Sequence, residues 1–225
     1  MRNLCIIPAR GGSKRIPRKN VKLFMGKPII AYGIKAAIES GLFDEVMVST
    51  DDNEIATVAR LYGANVPFMR SENTANDVAS LADVIDEVIS TLEAKGLVYD
   101  NFCCILATAP FVSAKLLSDS YEFYLEKNFD SLRPVTGFSY PIQRAFRMDE
   151  NGKVSFMHPE YAQSRSQDLE KAYHDAGLFY WGKTSKGLRG DVRGGYVIEE
   201  DLCQDIDTED DWRIAEMKYK LMFER

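Results

Sequence analysis

No stretch of this 225-residue sequence approaches the ~18 consecutive apolar residues that a membrane-crossing helix needs. Its first ten residues, MRNLCIIPAR, turn polar too soon for a secretory signal, so a soluble cytoplasmic protein is expected. Cysteine is sparse: Cys5, Cys103, Cys104 and Cys203 form no CxxC or Cys/His spacing. That argues against a zinc site and for reduced, structural thiols. A surplus of positive charge is missing too, with 28 basic against 34 acidic residues and a formal charge of −6. A general nucleic-acid binder, which gains affinity by neutralising phosphates, is therefore not expected. There is no internal repeat, linker or low-complexity tract. Disorder is excluded by an apolar share of 45% and an aromatic share of 11%.

What is present is an alternation of short apolar runs with helical stretches, the pattern of a mostly parallel sheet flanked by helices. Leu4–Pro8 reads as a central first strand, followed by a helix within Pro28–Ser40 and a strand at Glu45–Ser49. Asp51 and Asp52 then stand where a helix cap belongs. Val66–Met69 reads as a short strand, Leu81–Lys95 as a helix and Phe102–Ala107 as a buried strand. Ser113 can cap a helix to about Glu126, and Ser131–Val135 returns to strand. From about residue 136 to 175 the texture changes, with a hairpin suggested around Glu150-Asn151-Gly152. We read a single domain over residues 1–225 with a small inserted lobe there, for substrate or dimer contact. Strand character resumes at Gly177–Trp181, and a last helix over about Glu209–Phe223 takes Asp207 as its expected cap.

Charge is unevenly placed. From Arg10 to Lys27 lie seven basic residues (Arg10, Lys14, Arg15, Arg18, Lys19, Lys22, Lys27) and no acid, which suits a compact polyanion such as a triphosphate. The run IIPARGGSKRIPRKN, directly after the first strand, places Ala9, Gly11, Gly12 and Ser13 where backbone N–H groups can approach an anion. Arg10, Lys14 and Lys19 supply point charges for β- and γ-phosphates. The loop matches neither GxxxxGK[ST] nor GxGxxG. Far along the chain, Asp205 and Asp207 at i and i+2 can face one side of an extended segment, a donor pair suited to Mg²⁺ beside phosphate oxygens. Asp51-Asp52 invites the same metal reading, or that of a helix cap.

The loop ARGGSKRIPRKN resembles the signature of the cytidylyltransferases that activate sialic-acid-like nonulosonic acids with CTP. The similarity continues through STDD (Ser49–Asp52), MRSENTANDVAS (Met69–Ser80), ATAPF (Ala107–Phe111) and QDIDTEDDW (Gln204–Trp212). FSYPIQRAF (Phe138–Phe146) and RSQDLEKAYHDAGLFYW (Arg165–Trp181) resemble the branch acting on pseudaminic acid. The resemblance implies a Rossmann-like, GT-A-like α/β fold, CTP as donor, an acidic nine-carbon sugar as acceptor, Mg²⁺, a homodimer, and a product bound for glycans on bacterial flagella or surfaces. It also implies catalytic roles for Arg10, Lys14, Lys19 and Asp207, CTP contacts by Asn20, Arg70 and Ser80, and a metal on Asp205 and Asp207.

Leu106 stands where sialic acid enzymes carry a base-contacting glutamine, and Gln143 where they carry a lysine, with Arg144 adjacent. His174 and Ala176 replace an arginine and an asparagine of the sugar site. Arg165, Gln167 and His174 carry donors suited to a sugar carboxylate or amide. His158 reads as structural. Phe138, Tyr140, Phe146 and Phe156 read as core or dimer contacts before a sugar pocket. Two rival readings remain: activation of another sugar, such as legionaminic acid, N-acetylneuraminic acid, KDO or a sugar 1-phosphate, and a non-catalytic nucleotide-binding protein. The GxGTRL-type loop of sugar-1-phosphate enzymes is absent.

Overall fold

Asn3–Pro8 forms the first strand, β1, and its first five residues are fully shielded from solvent. The computed structural model describes residues 1–223. After β1 come the two-residue strands β2 (Leu23–Phe24) and β3 (Lys27–Pro28), helix α1 (Ile30–Ser40), β4 (Glu45–Ser49) and α2 (Asn53–Leu61). Then follow α3 (Leu81–Ala94), β5 (Asn101–Ile105), α4 (Ala114–Lys127) and β6 (Ser131–Gly137). The chain ends through β7 (Phe146–Met148), β8 (Val154–Phe156), β9 (Tyr173–Asp175), β10 (Phe179–Lys183), β11 (Arg193–Val197) and α5 (Glu209–Phe223).

Among the described residues, seven strands form one sheet in the order β11-β6-β10-β5-β1-β4, with β9 beside β6. β1 pairs in parallel with both β4 and β5, as expected of a central strand. β10 runs antiparallel between β5 and β6, and β9 pairs antiparallel with the far end of β6. The sheet is thus mostly parallel, the α/β class expected.

Alternation along β1 decides which face each residue covers. Cys5 and Ile7 pack with Ile34 of α1, Ile55 of α2 and Leu117 of α4. Leu4 and Ile6 pack with Ile85, Val88 and Leu92 of α3. With both faces covered, the middle of β1 must be apolar, and Leu4, Cys5, Ile6 and Ile7 are. Cys5, Cys103 and Cys104 lie in these layers and Cys203 is half-buried; all four are free. Burial pushes the Cys104 thiol up to about 12.

Two expectations fail. Val66–Met69 is not a strand: pairing is limited to an isolated bridge between Asn65, just ahead of the segment, and Met47. Pro67 has no N–H to give to a ladder, so pairing stops there. The cap of α5 is Thr208, not Asp207. Thr208 Oγ1 accepts the Asp211 N–H at 3.2 Å while Asp211 Oδ2 accepts the Thr208 N–H at 2.7 Å, a reciprocal capping box. Both carboxylate roles were open to Asp207 in sequence, and the threonine leaves it free for the cleft.

Residues 138–172 leave the sheet between β6 and β9, and β7 and β8 pair as an antiparallel hairpin apart from it. Trp181 of β10 ties the sheet to its helices. It is fully buried, stacks on Phe43 at 5.4 Å, and donates from Nε1 to Ser120 Oγ of α4 at 3.1 Å. Trp181→Ala is expected to lower the unfolding free energy by about 3–5 kcal/mol in urea melts. A loss under 1 kcal/mol would mean that Trp181 is not a keystone of this core.

Candidate active site

Beyond Pro8 the chain turns back over the end of β4. The Ala9 N–H donates to Ser49 O at 2.9 Å and the Gly11 N–H to Asp51 Oδ1 at 3.0 Å. A Cβ on Gly11 would lie 2.7 Å from Asp52 Oδ2, so this turn needs glycine. At the loop's other end Arg18 takes a left-handed backbone conformation (φ 55°) and grips both oxygens of Asp52, at 2.6 and 2.9 Å, and Glu54 as well. Asp52 also caps α2 by accepting the Glu54 and Ile55 N–H groups at 3.0 Å each. The Arg18 hydrogen bonds foremost, aided by those N–H groups, lower the Asp52 carboxyl to about 2. Asp51 and Asp52 therefore anchor the two ends of the glycine loop, one by a backbone amide and one by a bidentate guanidinium.

Between those anchors the loop forms one wall of a cleft of about 660 Å³. The end of β5 (Leu106, Ala107, Thr108), the segment ahead of α3 (Thr74, Asn76, Asp77) and Asp207 complete it. The cleft thus lies at the carboxyl ends of parallel strands, where open α/β sheets hold ligands. Lys19, only 19% exposed, donates to Ile206 O at 2.7 Å and stands 3.4 Å from Asp207 Oδ1. Arg15 reaches the same oxygen at 3.0 Å. Beneath them Ile16 and Ile206 share a buried apolar cluster with Phe24, Phe111, Trp212 and Ala215.

Arg70 is 8% exposed and donates to Ser49 Oγ at 3.1 Å and to Ser49 O. Burial disfavours its charged form. The cleft is lined by five basic residues (Arg10, Lys14, Arg15, Lys19, Arg70) and two acidic ones (Asp77, Asp207). Its formal balance is +3, in a chain whose total is −6.

Of the residues picked from sequence, Arg10, Ser13, Lys14, Lys19, Asn20, Arg70 and Asp207 meet in this cleft. Asn20 is buried and holds the loop by donating to Arg10 O at 2.9 Å. Ala9 is buried below it, and Gly11 and Gly12 form the turn. Ser80 faces away: its hydroxyl bonds Asp83 Oδ2 at 2.7 Å and caps α3. Asp205 and His174 line an adjoining cavity of about 530 Å³ with Tyr180 and Gln204, and Leu106 borders both spaces. Gln167 lines a third cavity, of about 590 Å³, in the lobe. Gln143 donates to Glu170 O at 2.9 Å, Arg144 to Ser166 Oγ at 3.4 Å, and Arg165 is exposed. His158 lies beside Glu160 at 3.6 Å, outside all three spaces.

Not every cation of the basic run serves the cleft. Arg18 is engaged by Asp52, and Lys22 is held by Glu209 at 2.6 Å. Asp77 was missed: nothing local marks it, because its partners Arg10 and Lys14 lie 67 and 63 positions away.

A cytidylyltransferase family pattern matches residues 4–188. The chain is 46% identical to pseudaminic acid cytidylyltransferase of Campylobacter jejuni, covering 100% of this chain and 99% of that one. It is 28% identical to N-acylneuraminate cytidylyltransferase of Escherichia coli, over 94% of this chain and 51% of the other. In structure it resembles CMP:2-keto-3-deoxy-manno-octonic acid synthetase complexed with CTP, with TM-score 0.68, 16% identity and full coverage of both chains.

Asp52→Asn keeps a cap but weakens the grip on Arg18, and is expected to cost about 1–2 kcal/mol at pH 7. Because the folded carboxyl is lowered, its contribution is present above the ordinary carboxylate range and lost as pH falls toward 2. The gap between wild type and variant in urea melts should therefore narrow below about pH 4. A gap that widens on acidification would contradict this assignment.

Proposed function

The chain belongs to the cytidylyltransferase family, and from that premise we propose that it transfers CMP from CTP to the anomeric hydroxyl of a nonulosonic acid, pseudaminic acid before others, releasing pyrophosphate. The activity rests on one observation: the glycine loop, through Lys19, and Asp207, 188 residues further on, converge on one cationic cleft. The sugar rests on the 46% identity along the whole chain to an enzyme named for pseudaminic acid.

In this reading CTP lays its β- and γ-phosphates along Arg10, Lys14 and Lys19. The cavity holding His174 and Asp205 takes the sugar, with Leu106 at the border where the two substrates meet. The sugar hydroxyl attacks the α-phosphorus in line, and the charge gathering on departing pyrophosphate is met by cations already fixed in place. Lys19 is the most constrained of these, since its ammonium is largely buried against the Ile206 carbonyl.

The donor chemistry also fits magnesium. Among the described residues no three His, Cys, Asp or Glu side chains cluster as a closed metal cage. Mg²⁺ is instead commonly held by one or two carboxylates, with substrate phosphates and water completing its shell. Asp207 would hold the ion from the cleft, with Asp205, two residues before it, on the adjoining cavity; when bound, the ion would supply Lewis-acid charge to the reacting oxygens.

The lobe supports a homodimer. In the β7–β8 register Phe146 faces Phe156 and Met148 faces Val154, so all four side chains share one face of the hairpin. Phe146, Met148 and Val154 are 56%, 72% and 55% exposed, which rules out the core and leaves an apolar face that a second copy can cover. Nearby, Gln143 Oε1 and Arg144 Nε are buried without a hydrogen-bond partner among the described residues. A cytoplasmic enzyme supplying flagellar or surface glycans is the setting this reading implies.

Pyrophosphate release from CTP, measured with pseudaminic, legionaminic and N-acetylneuraminic acids side by side, should be fastest with the first. Asp207→Ala should lower kcat by roughly 10²–10³ in a protein that still folds, with only a modest shift of the melting curve because Lys19 keeps the Ile206 carbonyl. No release with any of the three sugars would refute the activity; a faster rate with another sugar would refute the substrate. Sedimentation should give twice the chain mass, and Met148→Asp should shift it to the monomer. A wild-type monomer would remove the dimer from the account.

A further inference from the structure

Two of the cleft's cations already hold an anion. Arg10 Nη1 donates to Asp77 Oδ1, and Lys14 Nζ donates to Asp77 Oδ2 at 2.6 Å. Each oxygen of one carboxylate thus takes a different cation, as two oxygens of a phosphate would. The two cations come from the loop after β1, and the carboxylate comes from the opposite wall, ahead of α3.

The backbone on either side of Asp77 is held by other bonds. Glu87 of α3 accepts the Ser71 N–H at 2.9 Å and the Thr74 hydroxyl. Asn76 closes the turn, its Oδ1 accepting the Val78 and Ala79 N–H groups at 2.9 Å each. Ser80 is fixed by its own capping box. The Asp77 side chain takes no part in this scaffold; among the described residues, Arg10 and Lys14 are the partners recorded for its carboxylate. All three side chains keep solvent contact, with Arg10 38%, Lys14 78% and Asp77 49% exposed. The contact can therefore open without unfolding anything around it.

We propose that Asp77 is an internal rival of the terminal phosphates: it occupies, in the nucleotide-free protein, the place that Arg10 and Lys14 offer to a polyphosphate, and so weakens the hold of the site on CTP and on pyrophosphate. The inference rests on the reading of this cleft as the CTP site. A triphosphate or pyrophosphate must displace that carboxylate to reach Arg10 and Lys14, and it can because it brings several more charged oxygens and also reaches Lys19. The same competition works in reverse after transfer, when the returning carboxylate shortens the stay of pyrophosphate.

The test is calorimetric titration of the full-length protein with inorganic pyrophosphate, CTP and CMP, in magnesium and low salt, for wild type, Asp77→Asn, Asp77→Ala and Asp77→Glu. Both neutral variants should bind pyrophosphate about tenfold more tightly, the scale of two exposed ion pairs. CMP affinity should move less than twofold, because its one phosphate does not reach these cations, and Asp77→Glu should return toward wild type. In turnover assays the pyrophosphate inhibition constant should fall in step. If the neutral variants bind pyrophosphate equally or more weakly while wild type binds and turns over CTP, Asp77 is not a competitor and this inference alone fails. If wild type binds neither CTP nor CMP, the reading of the cleft fails and takes the inference with it.

Discussion

Lys19 spans from the loop after β1 to the segment ahead of α5, and the rest of the cleft depends on that span. Its ammonium is mostly out of solvent, so it must be met by polar partners, and the Ile206 carbonyl and Asp207 carboxylate meet it. The join holds because an apolar seam lies under it, with Ile16 from the loop and Ile206 from the far segment packed around Phe24 and Trp212. Removing the seam would leave two charged segments with no reason to stay together. A hydrophobic cluster therefore fixes the position of an electrostatic device.

That device works by pre-assignment of charge. Arg18 is fully engaged by Asp52 and Glu54, which shapes the loop and removes one cation from the site. Arg15 and Lys19 share Asp207, and Arg10 and Lys14 share Asp77, so four cations are held in place by two carboxylates. The excess is positive within the cleft although the molecule as a whole is negative, which focuses attraction on one place. Cations held in advance need little reorganisation when charge develops on a ligand.

Much of this was legible in sequence because the relevant signals are local. An apolar run closing on two glycines announces a buried strand ending in a tight turn, and β1 with its loop is that feature. The alternation of Asp205, Ile206 and Asp207 leaves the isoleucine buried between the two acids. It could not tell that the segment is irregular rather than extended strand, so the two carboxylates line neighbouring cavities. Val66–Met69 was misread because its apolar character outweighed Pro67. The α5 cap was misread because Asp207 and Thr208 are both good caps and only the reciprocal bond with Asp211 decides between them. Asp77 carried no local mark at all, since its meaning lies in residues more than sixty positions away.

The most direct measurement of the central claim is a crystal structure of the protein grown with CTP. The account predicts the β- and γ-phosphates on Arg10, Lys14 and Lys19, with the α-phosphate between that cluster and Asp207. A triphosphate bound outside the cleft, or with Asp207 and the glycine loop contacting different molecules, would contradict it.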